Sequence, residues 1–63
     1  MKNIIIEKRK FLAYEKVRVS GKTNMFDVAK VERYARKEGV TLTRSEIFDI
    51  MQNYSSYKEK FLD

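Results

Sequence analysis

An all-α domain of three helices is predicted by three features of this chain: proline is absent, two glycines punctuate it, and Thr43-Arg44-Ser45-Glu46 forms a capping-box pattern. The glycines, Gly21 and Gly39, separate stretches of helix-like composition. The helices are expected at about residues 3–20, 24–38 and 44–62, the last bent or split near 55.

In the first helix Phe11, Leu12 and Val19 are expected near one face, joined by Ile5, and Gly21 supplies a left-handed stop. Ile4-Ile5-Ile6 could instead start the chain as a short extended arm, because consecutive β-branched residues favour strands. The second helix is expected to open at Asn24, whose side chain can accept from free first-turn amides, with Asp27 favourable to the positive helix end. Val28, Val31 and Ala35 then form its apolar stripe, with Met25 and Tyr34 at the margins, and Gly39 follows as the stop.

The third helix opens at the capping box, with Leu42 and Ile47 placed for a hydrophobic staple. Ile47, Ile50, Met51, Tyr54 and Phe61 trace one face toward the C-terminus. Asn53-Tyr54-Ser55-Ser56 interrupts it, and Ser56-Tyr57-Lys58-Glu59 reads as a second capping box, so either one helix bends or a fourth begins.

Sixty-three residues make one domain with a thin core, burying roughly 60% of the surface that the unfolded chain exposes. Small folds usually need an added source of stability. Cysteine and histidine are both absent, which excludes disulfides and thiolate chemistry and argues against a zinc site. Good helix caps and self-association remain, and a homodimer is expected. The apolar run Ile4-Ile5-Ile6 is followed at once by Glu7-Lys8-Arg9-Lys10, too short for a signal-peptide core or a membrane span. The expected location is therefore the cytoplasm, with no membrane partner.

Charge is uneven along the chain. Residues 1–30 carry eight Lys or Arg against three acids, whereas residues 31–63 carry six of each, so the whole +5 lies in the first half. Such a surface attracts nucleic acid or an acidic protein, although lysine excess also serves solubility alone.

Motifs that could carry chemistry are weak. Ser20-Gly21-Lys22-Thr23 matches the end of a phosphate-binding loop, but Lys16 occupies the required first glycine and no strand is expected before it. Glu46 and Asp49 share a helix face, yet first-turn acids are explained by the helix dipole. An active site would have to be built without imidazole or thiol, so no enzyme activity, cofactor or metal is expected.

Ala35 and Gly39 have the spacing of a helix-turn-helix, with Arg44 and Ser45 starting its second helix. The fit is poor: Glu38 and Ser45 fall where apolar residues belong, and Glu46, Asp49 and Glu59 would repel phosphates. Tyr14, Phe26, Phe48, Tyr57 and Phe61 exceed what so small a core can hold, so some are expected on an exposed patch.

The stretch Val17-Arg18-Val19-Ser20-Gly21-Lys22-Thr23-Asn24-Met25-Phe26-Asp27, with Val31, Ala35 and Tyr57 to Phe61, resembles a family of short uncharacterised phage and prophage proteins. Its specific part is an R-x-S-G-x-T-N-M-x-D pattern from Arg18 to Asp27. The resemblance implies a phage origin. Small cofactor-free phage proteins commonly bind host or phage machinery, so a protein partner is expected and nucleic acid is the alternative. Partner contacts are expected at Arg18, Lys22, Thr23 and Asn24; Thr23 and Asn24 could equally serve only as caps.

Overall fold

A computed structural model of the protein describes residues 6–62, and it is all-helical, with no strand among those residues. It contains four helices rather than three: α1 (Lys8–Ser20), α2 (Val28–Lys37), α3 (Arg44–Gln52) and α4 (Tyr54–Leu62). Each helix packs on its neighbour in sequence, and α4 returns to α1, closing a ring around one core. Ile6, Phe11, Ala13, Tyr14, Val31, Ala35, Leu42, Ile47 and Ile50 form that core.

The first helix starts later than its composition suggests. Ile6 is buried in the core and Glu7 is extended, so the last of the three isoleucines packs as an arm and α1 begins at Lys8. The expected start at residues 3–5 lies outside the described residues. Val19 does not join the core face. At about 100° per residue it lies roughly 80° from Phe11, and Leu12 roughly 100°. The buried side is formed by Phe11, Ala13, Tyr14 and Val17, while Val19 is 70% exposed. Gly21 ends α1 with φ 66, the left-handed stop expected of it.

Helix α2 opens at Val28, not Asn24. Asp27 is its cap and accepts from the Lys30 amide at 3.3 Å. Asn24 closes a turn one step earlier: its Oδ1 accepts from the Phe26 amide at 2.9 Å, and its carbonyl from the Asp27 amide at 2.9 Å. Local turn formation thus competes with capping and displaces the helix by one turn. Val31 and Ala35 are buried as expected. At the far end the amides of Gly39 and Val40 reach back to the carbonyls of Arg36 and Ala35, a Schellman closure with Gly39 at φ 86.

The capping box is formed. Thr43 accepts from the Glu46 amide at 3.2 Å, and Glu46 accepts from the Thr43 amide at 2.9 Å. Leu42 and Ile47, the staple pair, are both buried. The final helical stretch divides at Asn53, whose side-chain amide donates to the Asp49 carbonyl at 3.2 Å. Ser56 does not start a helix; it lies within α4. The division falls where an asparagine can satisfy a terminal carbonyl by itself.

Helix α4 has no fully buried residue and docks through aromatic rings. Phe11, wholly buried, lies 5.7 Å from Tyr54, 6.2 Å from Tyr57 and 5.8 Å from Phe61 between ring centroids. Tyr57 and Phe61 stack one turn apart at 6.1 Å. Of the five aromatics that the core could not all hold, Tyr14, Tyr57 and Phe61 pack in it or against it, while Phe26 and Phe48 are exposed.

Phe11→Ala should cost about 3–5 kcal/mol, comparable to the whole stability of a domain this size, and abolish a cooperative thermal transition. Asp27→Ala should lower stability by about 1 kcal/mol, a fall of about 4–8 °C in a circular dichroism melt. Asn24→Ala should have the smaller effect of the two, since α2 keeps its cap.

Candidate functional site: an apolar and basic face on α1

Because α1 carries apolar residues on two sides, burying one leaves the other on the surface. Leu12 and Val19, two turns apart, wall a shallow, open recess along one side of α1 with Glu15, Lys16 and Ser20, and this recess is lined almost entirely by carbon. A second recess, with Arg9, Leu12, Ala13, Lys16, Glu38 and Val40, adjoins it. A third, of about 110 Å³, lies where α1 meets α2 and is bounded by Lys16, Val17, Ser20, Lys22, Tyr34, Lys37 and Glu38. Lys16 borders all three, so they form one continuous face.

Charge on this face is predominantly positive. Lys16 pairs with Glu38 at 3.3 Å across exposed surface, a contact of little strength. Lys22 and Lys37 pair with no carboxylate among the described residues, and Lys37 Nζ lies 5.2 Å from the centroid of the Tyr34 ring. Arg9 keeps a long, exposed pairing with Glu7 at 3.4 Å. Glu15 adds little open negative charge because its carboxylate is occupied. Arg18 donates to it through Nε at 2.7 Å and a terminal nitrogen at 2.9 Å, and the Tyr54 hydroxyl donates to both oxygens at 2.8 and 2.9 Å.

The four expected contact residues are dispersed by these arrangements. Lys22 lines the basic recess. Arg18 instead forms a clamp between α1 and α4, holding Glu15 and lying 5.2 Å from the Tyr54 ring centroid. Asn24 shapes the loop, as described above. The Thr23 hydroxyl is buried and has no hydrogen-bond partner among the described residues. Three residues further on, Phe26 stands 81% exposed in the loop between α1 and α2.

Residue-by-residue reading missed Leu12, Lys16, Val19, Tyr34 and Lys37 as a surface. The available signal was the seven-residue spacing of Leu12 and Val19 with Lys16 between, which marks a second stripe on α1. The carboxylates on α3 are also less exposed than their sequence suggests. Glu46 is engaged by Lys10 and its own cap, and Asp49 accepts from the Tyr57 hydroxyl.

This arrangement defines a small helical domain with one apolar, cationic face and no helix among the described residues long and apolar enough to cross a membrane. A family described as a domain of unknown function, DUF5049, matches residues 12–57, most of the chain, and the protein belongs to that family. No curated protein and no solved structure matches it.

Two groups of ionisable side chains give stability a defined pH range. Hydrogen bonds from Arg18 hold the Glu15 carboxyl below the usual range, with a further contribution from Tyr54. Burial opposes ionisation of Glu46, but donation from Lys10 and the Thr43 amide outweighs it and its carboxyl also lies low. Burial raises Tyr57 to about 12, aided by its bond to Asp49, and burial likewise raises Tyr54 and Tyr14.

The depressed glutamates bind fewer protons when folded, so their contribution is present above about pH 4.5 and is lost as pH falls through their lower folded values. The raised tyrosines contribute below about pH 10 and lose that contribution as pH climbs toward about 12. Urea midpoints should therefore form a plateau between these limits, and Tyr57→Phe should flatten the alkaline decline. Thr23→Val, which removes an unsatisfied hydroxyl without changing shape, should hold or raise the melting temperature; a fall would show that the hydroxyl is bonded in solution.

Proposed function

We propose that this domain is a protein-binding module, a phage-encoded accessory protein that occupies the surface of a host or phage protein in the host cytoplasm and modulates it, as an anti-defence or regulatory inhibitor would. The observation that carries the reading is the continuous face on α1, where Val19 lies exposed and Leu12 half-buried beside Lys16. Apolar side chains flanked by charge are the composition of a partner surface. Phe26 adds an exposed aromatic anchor of the kind that dominates binding energy at interfaces. The phage origin rests on the resemblance across Arg18 to Asp27. A chain without histidine or cysteine acts through contact rather than turnover in this reading.

The second reading is a small basic nucleic-acid-binding regulator. Lys16, Lys22 and Lys37 around Tyr34 favour it, as does the inward engagement of Glu46 and Asp49, which leaves Arg44 and Ser45 exposed at the start of α3. The turn from α2 to α3, residues 38–43, is long for a helix-turn-helix. Self-association is a third use of exposed apolar surface, with Phe48 on α3 and Leu62 on α4 as further material for it.

Immobilised protein should retain a bacterial or phage protein from lysate after nuclease treatment, and Val19→Asp or Phe26→Ala should release it while leaving the thermal melt within a few degrees of the parent. Retention that vanishes with nuclease, together with affinity for random duplex DNA that falls steeply with salt, would transfer the assignment to nucleic acid. Light scattering at micromolar concentration reads the oligomeric state.

A further inference from the structure

Resting on the protein-binding reading above, we propose that the α1 face takes an acidic amphipathic helix of the partner, with leucine-like side chains on Leu12 and Val19 and carboxylates reaching Lys16, Lys22 and Lys37. Three observations narrow the occupant to this chemistry. The recess between Leu12 and Val19 is lined by carbon along two turns of helix, a length and texture that receive apolar side chains at helical spacing. Its border is cationic on the side facing α2, where Lys16, Lys22 and Lys37 stand against the single acid Glu38, and Lys22 and Lys37 have no carboxylate partner among the described residues. Glu15, the acid inside the recess, is held by Arg18 and Tyr54, so it does not repel an incoming carboxylate as a free acid would.

The same features disfavour the other occupants. A phosphate backbone would satisfy the lysines but leave Val19 and the open side of Leu12 facing water or bare phosphate. A second copy joined by a twofold axis on this face would set Lys16 near its own symmetry mate and bring two chains of net charge +5 together. An acidic helix satisfies both parts of the face at once.

The probe is a synthetic helical peptide of about four turns, with leucines at helical spacing on one side and glutamates elsewhere, titrated into the isotope-labelled full chain. Amide shifts are expected at Leu12, Lys16, Val19, Ser20 and Lys37. Val19→Asp should weaken binding by about tenfold to a hundredfold, and Lys16→Glu with Lys37→Glu should weaken it by at least about tenfold and flatten its salt dependence. These positions are exposed, and an unchanged melt confirms that each variant folds.

Equal binding of a peptide with serine in place of every leucine would overturn the proposal, because charge alone would then explain the contact. Shifts at the same amides on concentrating the protein without peptide would overturn it in favour of a second copy. No shifts with the peptide, while lysate capture persists and responds to Phe26→Ala but not to Val19→Asp, would overturn the acidic-helix assignment and leave the protein-binding reading standing.

Discussion

The fold depends on one buried ring. Phe11 contacts three aromatic side chains of α4, a helix that buries no residue completely and therefore has no other deep anchor. Aromatic pairs of this geometry add about 0.5–1.5 kcal/mol each beyond the area they bury. In a domain of this size that is a large share of the total. The Glu15, Arg18 and Tyr54 cluster sits on the same α1–α4 seam, so an apolar contact inside and a polar one at its edge hold the ring of helices closed.

Orienting Phe11 inward has a consequence for the outside of α1. A helix with one apolar stripe would turn a polar face to water. This helix carries two stripes, and the one with Phe11, Ala13, Tyr14 and Val17 is buried, on a helix that packs on both α2 and α4. Leu12 and Val19 are left on the far side, in the chain's most basic half. The candidate binding face is thus a by-product of the same packing decision that stabilises the fold, and its lysines come from the skewed charge distribution.

Polar groups near this face are arranged so that acids are engaged and bases are open. Glu15 is tied to Arg18 and Tyr54 and Glu38 to Lys16, whereas Lys22 and Lys37 are not matched by carboxylates among the described residues. This pairing occupies a cation for each acid, which leaves Lys22 and Lys37 as the open positive charge of the face. It also explains why Arg18, conspicuous in sequence, is poorly placed to meet a partner: its guanidinium is committed to Glu15 and the Tyr54 ring.

Sequence by itself determined the helical class, the stops at Gly21 and Gly39, and the capping box at Thr43 and Glu46 with its staple of Leu42 and Ile47, because these depend on groups within a few residues of one another. The buried stripe of α2 was legible for the same reason. The start of α2 was not, since Asn24 and Asp27 are both good caps and the intervening turn decided between them. Only tertiary structure decided that Val19 faces water, that Arg18 is a clamp, and that Lys37 from α2 joins Lys16 and Lys22 from α1 and its following loop. Those facts depend on which of two apolar stripes finds partners and on residues distant in sequence meeting in space, and no local pattern carries that information.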